Sequence, residues 1–334
     1  MTKESFCKSI WNLSYDQVRE NISKDSYKQF EIPKKNGMRI ITFLPEESSL
    51  YDLQKKFNKN FLSKQELPIC VKGFVKGESY ISYLEPHVGS KYFFRVDIKD
   101  FFPSITVRKI KEAFSTFISF ETDTDKEIIL ELISDICTYE DILPQGASTS
   151  PTISNIIMVR IDQRITKYCQ ALGVTYTRYA DDLLFSSKNF DFKFKKWFVK
   201  KIKFFLSSSC FSINYSKMKF GNEEISLNGY VISETGIRLS RGRLSDLKKA
   251  LAFSRENHRL SKDQSELFLE KANNIVLVHR NLKRDPFASV FQFTQFLIGY
   301  RSHLISFLQY DLEPSFRKKI KKMLYKIEEQ LLLY

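Results

Sequence analysis

The chain has 334 residues, about twice the length of a typical domain, so one large unit or two to three smaller ones are expected. Hydrophobic residues make up 43% of the sequence and aromatic residues 14%, which is enough for sizeable cores and excludes a wholly disordered chain. The formal net charge of +14 makes small neutral molecules poor sole partners and favours nucleic acid or an anionic membrane surface.

Cysteine usage and hydropathy bear on the cellular compartment. The five cysteines are dispersed with no Cys-x-x-Cys pair, which argues against a disulfide framework or a structural zinc and is typical of a reducing compartment. The first residues lack the apolar core of a signal peptide, and no apolar run approaches the roughly 18–20 residues that span a bilayer. We therefore expect a cytoplasmic protein without a membrane partner.

The first half of the chain is predicted to mix helices and strands. The first 30 residues are predicted to be helical. Residues 27–43 alternate like two strands around Lys35-Asn36-Gly37, because Asn-Gly between alternating runs is a strong hairpin signal. Further along, the patterns predict a helix over 48–62, a strand over 92–98, a helix over 124–139 with a capping box of Thr124 and Glu127, and a helix over 151–172.

The second half begins with a predicted hairpin over 174–187, whose strands meet at Ala180-Asp181-Asp182. A helix follows over 190–206, with Phe192, Phe194, Trp197, Phe198 and Phe204 expected to face the core. Residues 225–239 predict two strands around a turn at 234–236, and the chain after Ser240 is mostly helical. Strands in the middle with helices on both sides predict an α+β core followed by a helical C-terminal lobe.

Two acidic positions follow apolar strands. Asp97 ends the run FFRVDI, and Asp181-Asp182 lie in the predicted hairpin turn. Carboxylates in apolar surroundings are costly unless cations or metal ions compensate them. Two adjacent aspartates and a third from a neighbouring strand can supply a two-metal site, in which one Mg²⁺ activates a hydroxyl and the other stabilises a leaving oxygen. An isolated Asp-Asp pair in a hairpin is more often a solvated turn.

The order of five sequence blocks decides between these interpretations. They are RVDIKDFFPSI at 95–105, LPQGASTSPTISNIIM at 143–158, YTRYADDLLFS at 176–186, INYSKMKF at 213–220 and SLNGYVIS at 226–233. In this order they resemble the palm motifs of reverse transcriptases, and more narrowly those of bacterial retron-type enzymes, which are related to group II intron reverse transcriptases. The resemblance runs from about Tyr27 to Leu239.

The resemblance implies a right-hand α+β polymerase fold. An N-terminal helix and the fingers would occupy residues 1–90. The palm would occupy 91–239, with an antiparallel sheet flanked by helices, interleaved fingers elements and the primer grip. A helical thumb would occupy 240–334.

The resemblance also implies an RNA-directed DNA polymerase that uses two Mg²⁺ ions. The catalytic metal ligands would be Asp97, Asp181 and Asp182, together with the backbone carbonyl of Ile98. The residues around the incoming nucleotide would be Arg39 on the triphosphate (assisted by Lys34 and Lys35), Phe102 as an aromatic gate against a 2′-hydroxyl, Gln145 and Gly146 in a close turn, and Lys217 as proton donor to pyrophosphate. Lys219 is an alternative to Lys217.

Basic residues outside these blocks predict nucleic-acid contacts. Five of them begin the predicted thumb and would contact duplex phosphates: Arg238, Arg241, Arg243, Lys248 and Lys249. A later group would bind structured RNA: Arg317, Lys318 and Lys321. The lysines around Trp197 are more often a solvated face, and a direct nucleic-acid role there is the lesser alternative.

The retron resemblance implies a biological setting. A structured noncoding RNA would serve as template and primer, and dNTPs would extend a 2′-hydroxyl to give a branched RNA–DNA product (msDNA). A separate effector protein would join the complex in anti-phage defence. Two retron signatures diverge, since residues 83–87 keep only His87 of Asn-Ala-x-x-His, and residues 227–229 keep only Gly229 of Val-Thr-Gly. His87 is otherwise equally typical of a hydrogen-bonded core or loop histidine.

Two alternatives stay open on this basis. The divergent signatures are compatible with a non-retron defence or intron-related reverse transcriptase with other priming. A catalytically idle RNA-binding scaffold is the third hypothesis. The presence of all three aspartates disfavours it, because a degenerate copy should have lost at least one of them.

Overall fold

The computed structural model describes residues 1–34, 37–277, 286–310, 312 and 314–334. The chain forms two compact units, the first from residues 1–83 and 94–220, the second from residues 84–93 and 221–334. Both units combine helices with antiparallel strands, so the α+β class predicted from the sequence is confirmed. Across these described ranges, no helix is both long enough and apolar enough to cross a membrane.

The helices of the first unit surround an aromatic core. Their bounds are α1 (Lys3–Trp11), α2 (Tyr15–Glu20), α3 (Ser49–Asn60), α4 (Tyr80–Leu84), α5 (Val107–Phe117), α6 (Asp123–Cys137), α7 (Ser150–Gln170) and α8 (Lys196–Ser207). In α3 the buried Phe57 ring lies 5.7 Å from Trp11 and 6.4 Å from Phe6 of α1, so the two helices share one apolar layer.

The strands of the first unit form a hairpin and part of a larger sheet. The hairpin consists of β1 (Lys28–Lys34) and β2 (Gly37–Phe43), in register from Lys28↔Phe43 to Lys34↔Gly37, which confirms the predicted pair. Residues 35 and 36 of its turn lie outside the described residues. The sheet contains β3 (Tyr92–Asp97), β4 (Thr175–Tyr179) and β5 (Asp182–Ser187) in the order β4-β5-β3, and β6 (Lys219–Asn222) continues from this unit into the second. Every residue of β5 is buried, as its apolar sequence requires.

The second unit joins an antiparallel meander to helices. The meander consists of β7 (Glu224–Leu227), β8 (Tyr230–Ser233) and β9 (Gly236–Leu239). The helices are α9 (Arg241–Asn257), α10 (Leu260–Asp263), α11 (Ser265–Ala272), a π-helical turn (Asn273–Leu277), α12 (Val290–Phe307) and α13 (Pro314–Leu331). Phe253, Phe268 and Phe293 form their core, with ring centroids 5.0–5.7 Å apart.

Several predicted element boundaries are wrong for local reasons. The first 30 residues do not form one helix, because α1 and α2 end before a short 3₁₀ turn (Lys24–Ser26) that leads into β1. The N-cap of α6 is Thr122 instead of Thr124, since Thr122 Oγ1 accepts a hydrogen bond from the backbone N–H of Asp125.

Two further predictions differ from the structure. Helix α8 begins at Lys196, six residues after its predicted start at residue 190. Residues 225–239 contain parts of three strands instead of two, because Asn228 and Gly229 both adopt positive φ (46° and 85°) and make an additional turn between β7 and β8.

Candidate active site

The three predicted catalytic aspartates lie where β3 and the β4–β5 hairpin end. Asp97 is the last residue of β3, and Tyr179↔Asp182 is the last pair of the hairpin, so Asp181 lies in the turn. The backbone N–H of Ile98 donates a hydrogen bond to the carbonyl oxygen of Asp181 at 2.9 Å. This bond joins the turn to the end of β3 and brings the two acidic positions together.

A buried ion pair between Arg178 and Asp162 supports the turn of the β4–β5 hairpin. Arg178 is fully buried, and its Nε and Nη2 donate to the carboxylate of Asp162 at 2.8–3.0 Å. Its Nη1 donates to the carbonyl oxygen of Ala180 at 3.0 Å, and the Tyr176 hydroxyl donates to Asp162 at 2.7 Å. A buried pair is tolerated only when its remaining donors and acceptors are satisfied, as they are here. Arg178 therefore fixes the peptide that precedes Asp181.

The turn also needs a residue without a side chain in the loop beside it. A Cβ at Gly73 would lie 2.4 Å from the backbone nitrogen of Ala180, and the carbonyl oxygen of Gly73 accepts a hydrogen bond from Asn155 Nδ2 at 2.9 Å. Ala180 has a positive φ of 56°. The close contact with Gly73 helps to hold the turn in this uncommon backbone conformation.

Two cations neutralise part of the carboxylate charge. Arg95 on β3 donates from Nε to Asp182 Oδ1 at 2.9 Å, its Nη2 also contacts that oxygen, and the same nitrogen lies 4.0 Å from Asp97 Oδ2. Lys217 Nζ lies 3.0 Å from Asp97 Oδ2. Of the two candidate lysines, it is therefore Lys217 that the structure places against Asp97. The Lys217 side chain is 52% exposed, so it can leave this carboxylate without unfolding its surroundings.

The remaining electrostatics of the cluster favour a bound cation. Asp97 is 3% exposed, and its Oδ1 is buried without a hydrogen-bond partner among the described residues. Burial, and next the charge of Asp97, raise the pKa of Asp181. Burial also raises the pKa of Asp182 to about 6, although the attraction of Arg95 acts in the opposite direction. A buried carboxylate oxygen without a donor costs free energy unless a cation approaches it.

Carboxylate oxygens are the ligands that divalent hard cations prefer, so this donor set fits one. In the part of the chain that the structure describes, no group of three or more His, Cys, Asp or Glu side chains is arranged to hold a metal ion. The ion pair between Arg95 and Asp182 occupies one oxygen of the third carboxylate. The orphaned oxygen of Asp97 beside Asp181 is the feature that best accommodates a cation.

The β1–β2 hairpin, called here the fingers-like hairpin, and the Gln145–Gly146 turn are in direct contact. The backbone N–H of Thr42 donates to the carbonyl oxygen of Gln145 at 2.8 Å. Gly146 has φ +125°, and a Cβ there would lie 2.9 Å from Ile41 Cγ2. Arg39 is exposed and precedes Ile41 by two residues, so both lie on the same face of β2. The structure therefore brings Arg39, Gln145 and Gly146, three of the predicted nucleotide-binding residues, to one surface.

Phe102 is half-buried in an aromatic group that the sequence did not predict. Its ring centroid lies 5.5 Å from that of Phe101 and 6.2 Å from that of Phe74. Phe74 is 45% exposed and lies 6.4 Å from Tyr179, the residue that pairs with Asp182. The exposed ring of Phe74 thus lies near both Phe102, the predicted gate, and Tyr179 of the β4–β5 hairpin.

In the second unit, some of the predicted nucleic-acid residues have intramolecular roles. Arg238 forms an ion pair with Glu224. Arg243 lies 4.7 Å from the ring centroid of Tyr230, and its Nη1 lies 3.3 Å from His303 Nε2. Arg317 donates to two carbonyl oxygens just after α12, at 3.1 and 2.8 Å, which stabilises a helix C-terminus. These three guanidinium groups are therefore engaged within the unit.

The other predicted basic residues lie at or near the surface. Lys248 is exposed and lines a concave basin of about 440 Å³ between α9 and α13. Other basic residues of the basin are Arg255, Lys319, Lys322 and Lys326. Arg241, Lys318 and Lys321 are exposed, and Lys249 is half-buried. The sequence analysis grouped basic residues by their proximity along the chain. The basin is instead lined by basic residues that lie on facing sides of α9 and α13, and of the predicted residues it includes Lys248.

His87 is fully buried in the second unit, in a short 3₁₀ helix (Glu85–His87). Burial lowers its pKa to about 3, so the imidazole is neutral at physiological pH. His87 is therefore a core residue and not a surface residue available for RNA contact.

Comparisons with known proteins show which family this chain resembles. The family profile described as "Reverse transcriptase (RNA-dependent DNA polymerase)" matches residues 15–232. The Retron Ec86 reverse transcriptase of Escherichia coli is 31% identical over 228 residues, which cover 66% of this chain and 68% of that protein. The Retron Ec73 reverse transcriptase of Escherichia coli is 37% identical over 174 residues, which cover 49% of this chain and 54% of that protein. Among solved structures, apo telomerase from Candida tropicalis has a TM-score of 0.47 at 13% identity, over 92% of this chain and 62% of that one.

Proposed function

This chain belongs to the reverse transcriptase family of RNA-directed DNA polymerases, in its bacterial retron type, and from that premise we propose how its residues carry out nucleotidyl transfer. The observation that carries the proposal is the buried, unpartnered Oδ1 of Asp97 beside Asp181, at the joined ends of β3 and the hairpin. Reverse transcriptases use a divalent metal ion, and we take it to be Mg²⁺, bound as two ions.

Asp97 and Asp181 are the principal ligands in this proposal, with the carbonyl oxygen of Ile98 and the carboxylate of Asp182 beside them. When bound, the two ions lower the pKa of the attacking hydroxyl and neutralise charge on the departing pyrophosphate. Arg95 keeps Asp182 in position through its ion pair. Lys217 is paired with Asp97 and half exposed. In this proposal it transfers a proton to the leaving pyrophosphate.

The incoming dNTP is held by residues of the fingers-like hairpin and the turn that it contacts. Arg39 presents a planar guanidinium suited to phosphate oxygens. Gly146 allows the backbone to approach the nucleotide closely, and Gln145 orients it. Phe102 lies under the sugar and excludes a 2′-hydroxyl by contact. In this assignment residues 1–90 contain the fingers, 91–239 the palm and 240–334 the thumb.

We propose that the template is a structured noncoding RNA. The relatives named retron reverse transcriptases support this step. The RNA would supply the priming 2′-hydroxyl, so that the product is branched RNA–DNA (msDNA), and an effector protein would join the complex in anti-phage defence in the cytoplasm. Arg241, Lys248 and Lys249 would contact the duplex, and Lys318 and Lys321 the structured RNA. Sequencing the nucleic acid that copurifies with the protein tests this step, because a linear product or an unrelated RNA would contradict it.

Primer extension tests the catalytic assignment. Purified protein with Mg²⁺, dNTPs and an RNA template carrying a DNA primer should extend the primer. The Asp181→Asn, Asp182→Asn double variant should lose extension by at least 10³-fold, since catalytic metal coordination is removed, with about 1.4 kcal/mol of barrier for each factor of ten. The matched control is the Asp16→Asn, Asp263→Asn double variant, which removes the same charge from two exposed positions. Equal extension by the two double variants would refute the site.

A further inference from the structure

The outer face of α8 carries aromatic side chains that the sequence pattern had assigned to the core. Trp197 and Phe204 of α8 are 48% and 53% exposed, and Phe194, which precedes the helix, is 77% exposed. The prediction that these three face the core is wrong, and within α8 it is Phe198, Ile202 and Phe205 that occupy the buried side. Large exposed rings grouped on one face are uncommon on a soluble surface and mark an interaction site more often than isolated ones do.

On the outer face of α8, a lysine lies between the two exposed aromatic residues. Trp197, Lys201 and Phe204 are spaced i, i+4 and i+7, so they form one stripe along the helix. Lys201 Nζ lies 5.0 Å from the ring centroid of Phe204, within the range of a cation–π contact. The segment from Phe192 to Asn222 contains no aspartate or glutamate, and its lysines are Lys193, Lys195, Lys196, Lys200, Lys201, Lys203, Lys217 and Lys219.

The stripe extends toward the catalytic residues. Lys203 Nζ lies 5.7 Å from the ring centroid of Tyr215, which is 55% exposed. Tyr215 shares a 3₁₀ turn with Lys217, whose Nζ contacts Asp97. A surface of rings and positive charge therefore begins on α8 and reaches the turn that contacts the candidate active site.

We propose that the α8 stripe, defined as Trp197, Lys201, Phe204 and Tyr215 with the flanking lysines, binds an unpaired segment of the RNA that the enzyme copies. We choose RNA as the ligand because of charge complementarity: the face is cationic throughout, and RNA supplies one phosphate per nucleotide. Rings that accept any base by stacking, placed among lysines that follow the backbone, are the general means of binding single strands. Trp197 and Phe204 are about 10 Å apart along the helix, which corresponds to about three nucleotides at a spacing of ~3.4 Å.

This inference rests on the proposed function, since it assumes that RNA is present at this polymerase. It differs from the catalytic assignment in using no dNTP, no divalent metal and none of the three aspartates. Its test can therefore be made by equilibrium binding alone.

Trp197 provides a reporter at the site. The protein has two tryptophans, of which Trp11 is 3% exposed and donates its Nε1–H to the carbonyl oxygen of Leu53. An unstructured 12-nucleotide RNA, titrated in EDTA, should quench the fluorescence of Trp197 by stacking on it. A Trp197→Phe variant should lose this quenching and thereby identify its source. The same RNA annealed to its complement should quench little, because its bases are no longer free to stack.

Variants that retain Trp197 measure the stripe itself. Phe204→Ala and the Lys200→Gln, Lys201→Gln double variant should each weaken the RNA affinity read from quenching about five-fold or more, the lower range for losing one stacked base. The matched control is Phe291→Ala on α12, which removes another exposed ring, at 68% exposure, and should leave the affinity unchanged. The Phe204 and Phe291 side chains are both exposed, and unfolding midpoints close to that of the wild type establish that the variants are folded.

The outcomes separate this proposal from the polymerase assignment. Absence of quenching in a protein that extends primers would overturn the RNA stripe and leave the face to a protein partner. Quenching in the Asp181→Asn, Asp182→Asn variant equal to that of the wild type supports the stripe as a separate site. Stronger quenching by the 12-nucleotide DNA of the same sequence than by the RNA, or equal weakening by Phe204→Ala and Phe291→Ala, would also overturn it.

Discussion

Replacing Arg95 by glutamine tests whether the acidic cluster depends on an internal countercharge. The Arg95 side chain is 13% exposed and that of Asp182 is 10% exposed, so their ion pair is largely shielded from water. Arg95 Nη2 also lies 4.0 Å from Asp97 Oδ2. Without the guanidinium, Asp182 would remain buried next to Asp181 and Asp97, and Lys217 is the other cation that contacts the group among the described residues.

The magnitude follows from the burial of the pair. Breaking a buried ion pair by removing one partner costs about 3–5 kcal/mol, because the other charge is left uncompensated. Arg19 and Asp135 provide the matched comparison, since their side chains are 44% and 29% exposed and such a surface pair contributes about 1 kcal/mol or less. We expect Arg95→Gln to lower the free energy of unfolding in EDTA by several times the loss in Arg19→Gln. Arg95→Lys, which keeps the charge but not the planar fork, should lie between them.

Denaturant unfolding of the three variants and the wild type, with and without Mg²⁺, measures these differences. A cation that binds the folded state stabilises it by about 2.7 kcal/mol at a concentration of 100 Kd. In Arg95→Gln the carboxylate of Asp182 no longer has a guanidinium partner, so Mg²⁺ should stabilise this variant more than the wild type. The reasoning is refuted if Arg95→Gln loses no more stability in EDTA than Arg19→Gln does.

Three further predictions concern single residues of the candidate site. In EDTA, Asp181→Asn should unfold at a higher temperature than the wild type at pH 7. Burial and the charge of Asp97 raise the pKa of the Asp181 carboxyl in the folded state, so the ionised carboxylate destabilises the fold above that pKa. The difference in unfolding temperature between variant and wild type should vanish below about pH 4, where the carboxyl is protonated in both the folded and the unfolded state. Equal unfolding midpoints at pH 7 would contradict this prediction. Gly146→Ala should lose more than about 1 kcal/mol of stability and raise KM for dNTPs, because φ is +125° and the Cβ would lie 2.9 Å from the Thr42 carbonyl oxygen. The control is Gly299→Ala, in open space within α12, which should be neutral or stabilising by up to about 1 kcal/mol. A Gly146→Ala variant as stable as the wild type would show that residue 146 does not need glycine. Phe102→Ala should increase ribonucleotide incorporation relative to deoxynucleotides in primer extension, whereas Phe291→Ala should not; an unchanged ratio removes Phe102 as the gate.

The positions of the aspartates could be predicted because local sequence determines them. Asp97 ends an apolar strand, and Asp181 lies in a turn between two strands, so alternation and turn chemistry locate both. The side chains that support them could not be located in this way. Arg95 and Asp182 are 87 residues apart, and Gly73 is packed against Ala180 from a distant loop. Such pairings depend on which elements become neighbours after folding.

Helix α8 illustrates a second limit. Phe198, Ile202 and Phe205 form one apolar stripe, while Trp197, Lys201 and Phe204 form another that is displaced by one residue. Helical spacing predicts that residues of a stripe share a face, but it does not decide which stripe is buried when both contain large rings. The prediction that every aromatic residue of this segment faces the core failed for that reason.

The guanidinium groups show why clustered charge along a chain is a weak guide to binding. Arg178 supports the turn that contains Asp181, Arg95 neutralises Asp182, and Arg317 stabilises the end of α12, so none of the three contributes its charge freely to an external ligand. Exposed lysines are instead grouped on the outer face of α8, and further lysines line the basin between α9 and α13.

This division of roles has a physical basis. A planar guanidinium can satisfy several acceptors at fixed angles, which suits a buried position next to a carboxylate, whereas an ammonium on a flexible stem is strongly hydrated and suits a surface. Lys217 is the exception that touches the acidic cluster, and its half-exposed side chain lets it exchange Asp97 for another anion. Within the acidic cluster, the cation that remains in place is therefore an arginine, and the one that can release its carboxylate is a lysine. The pairing of Asp182 with Arg95 and of Asp97 with Lys217 leaves the Oδ1 of Asp97 as the oxygen best prepared to receive a metal ion.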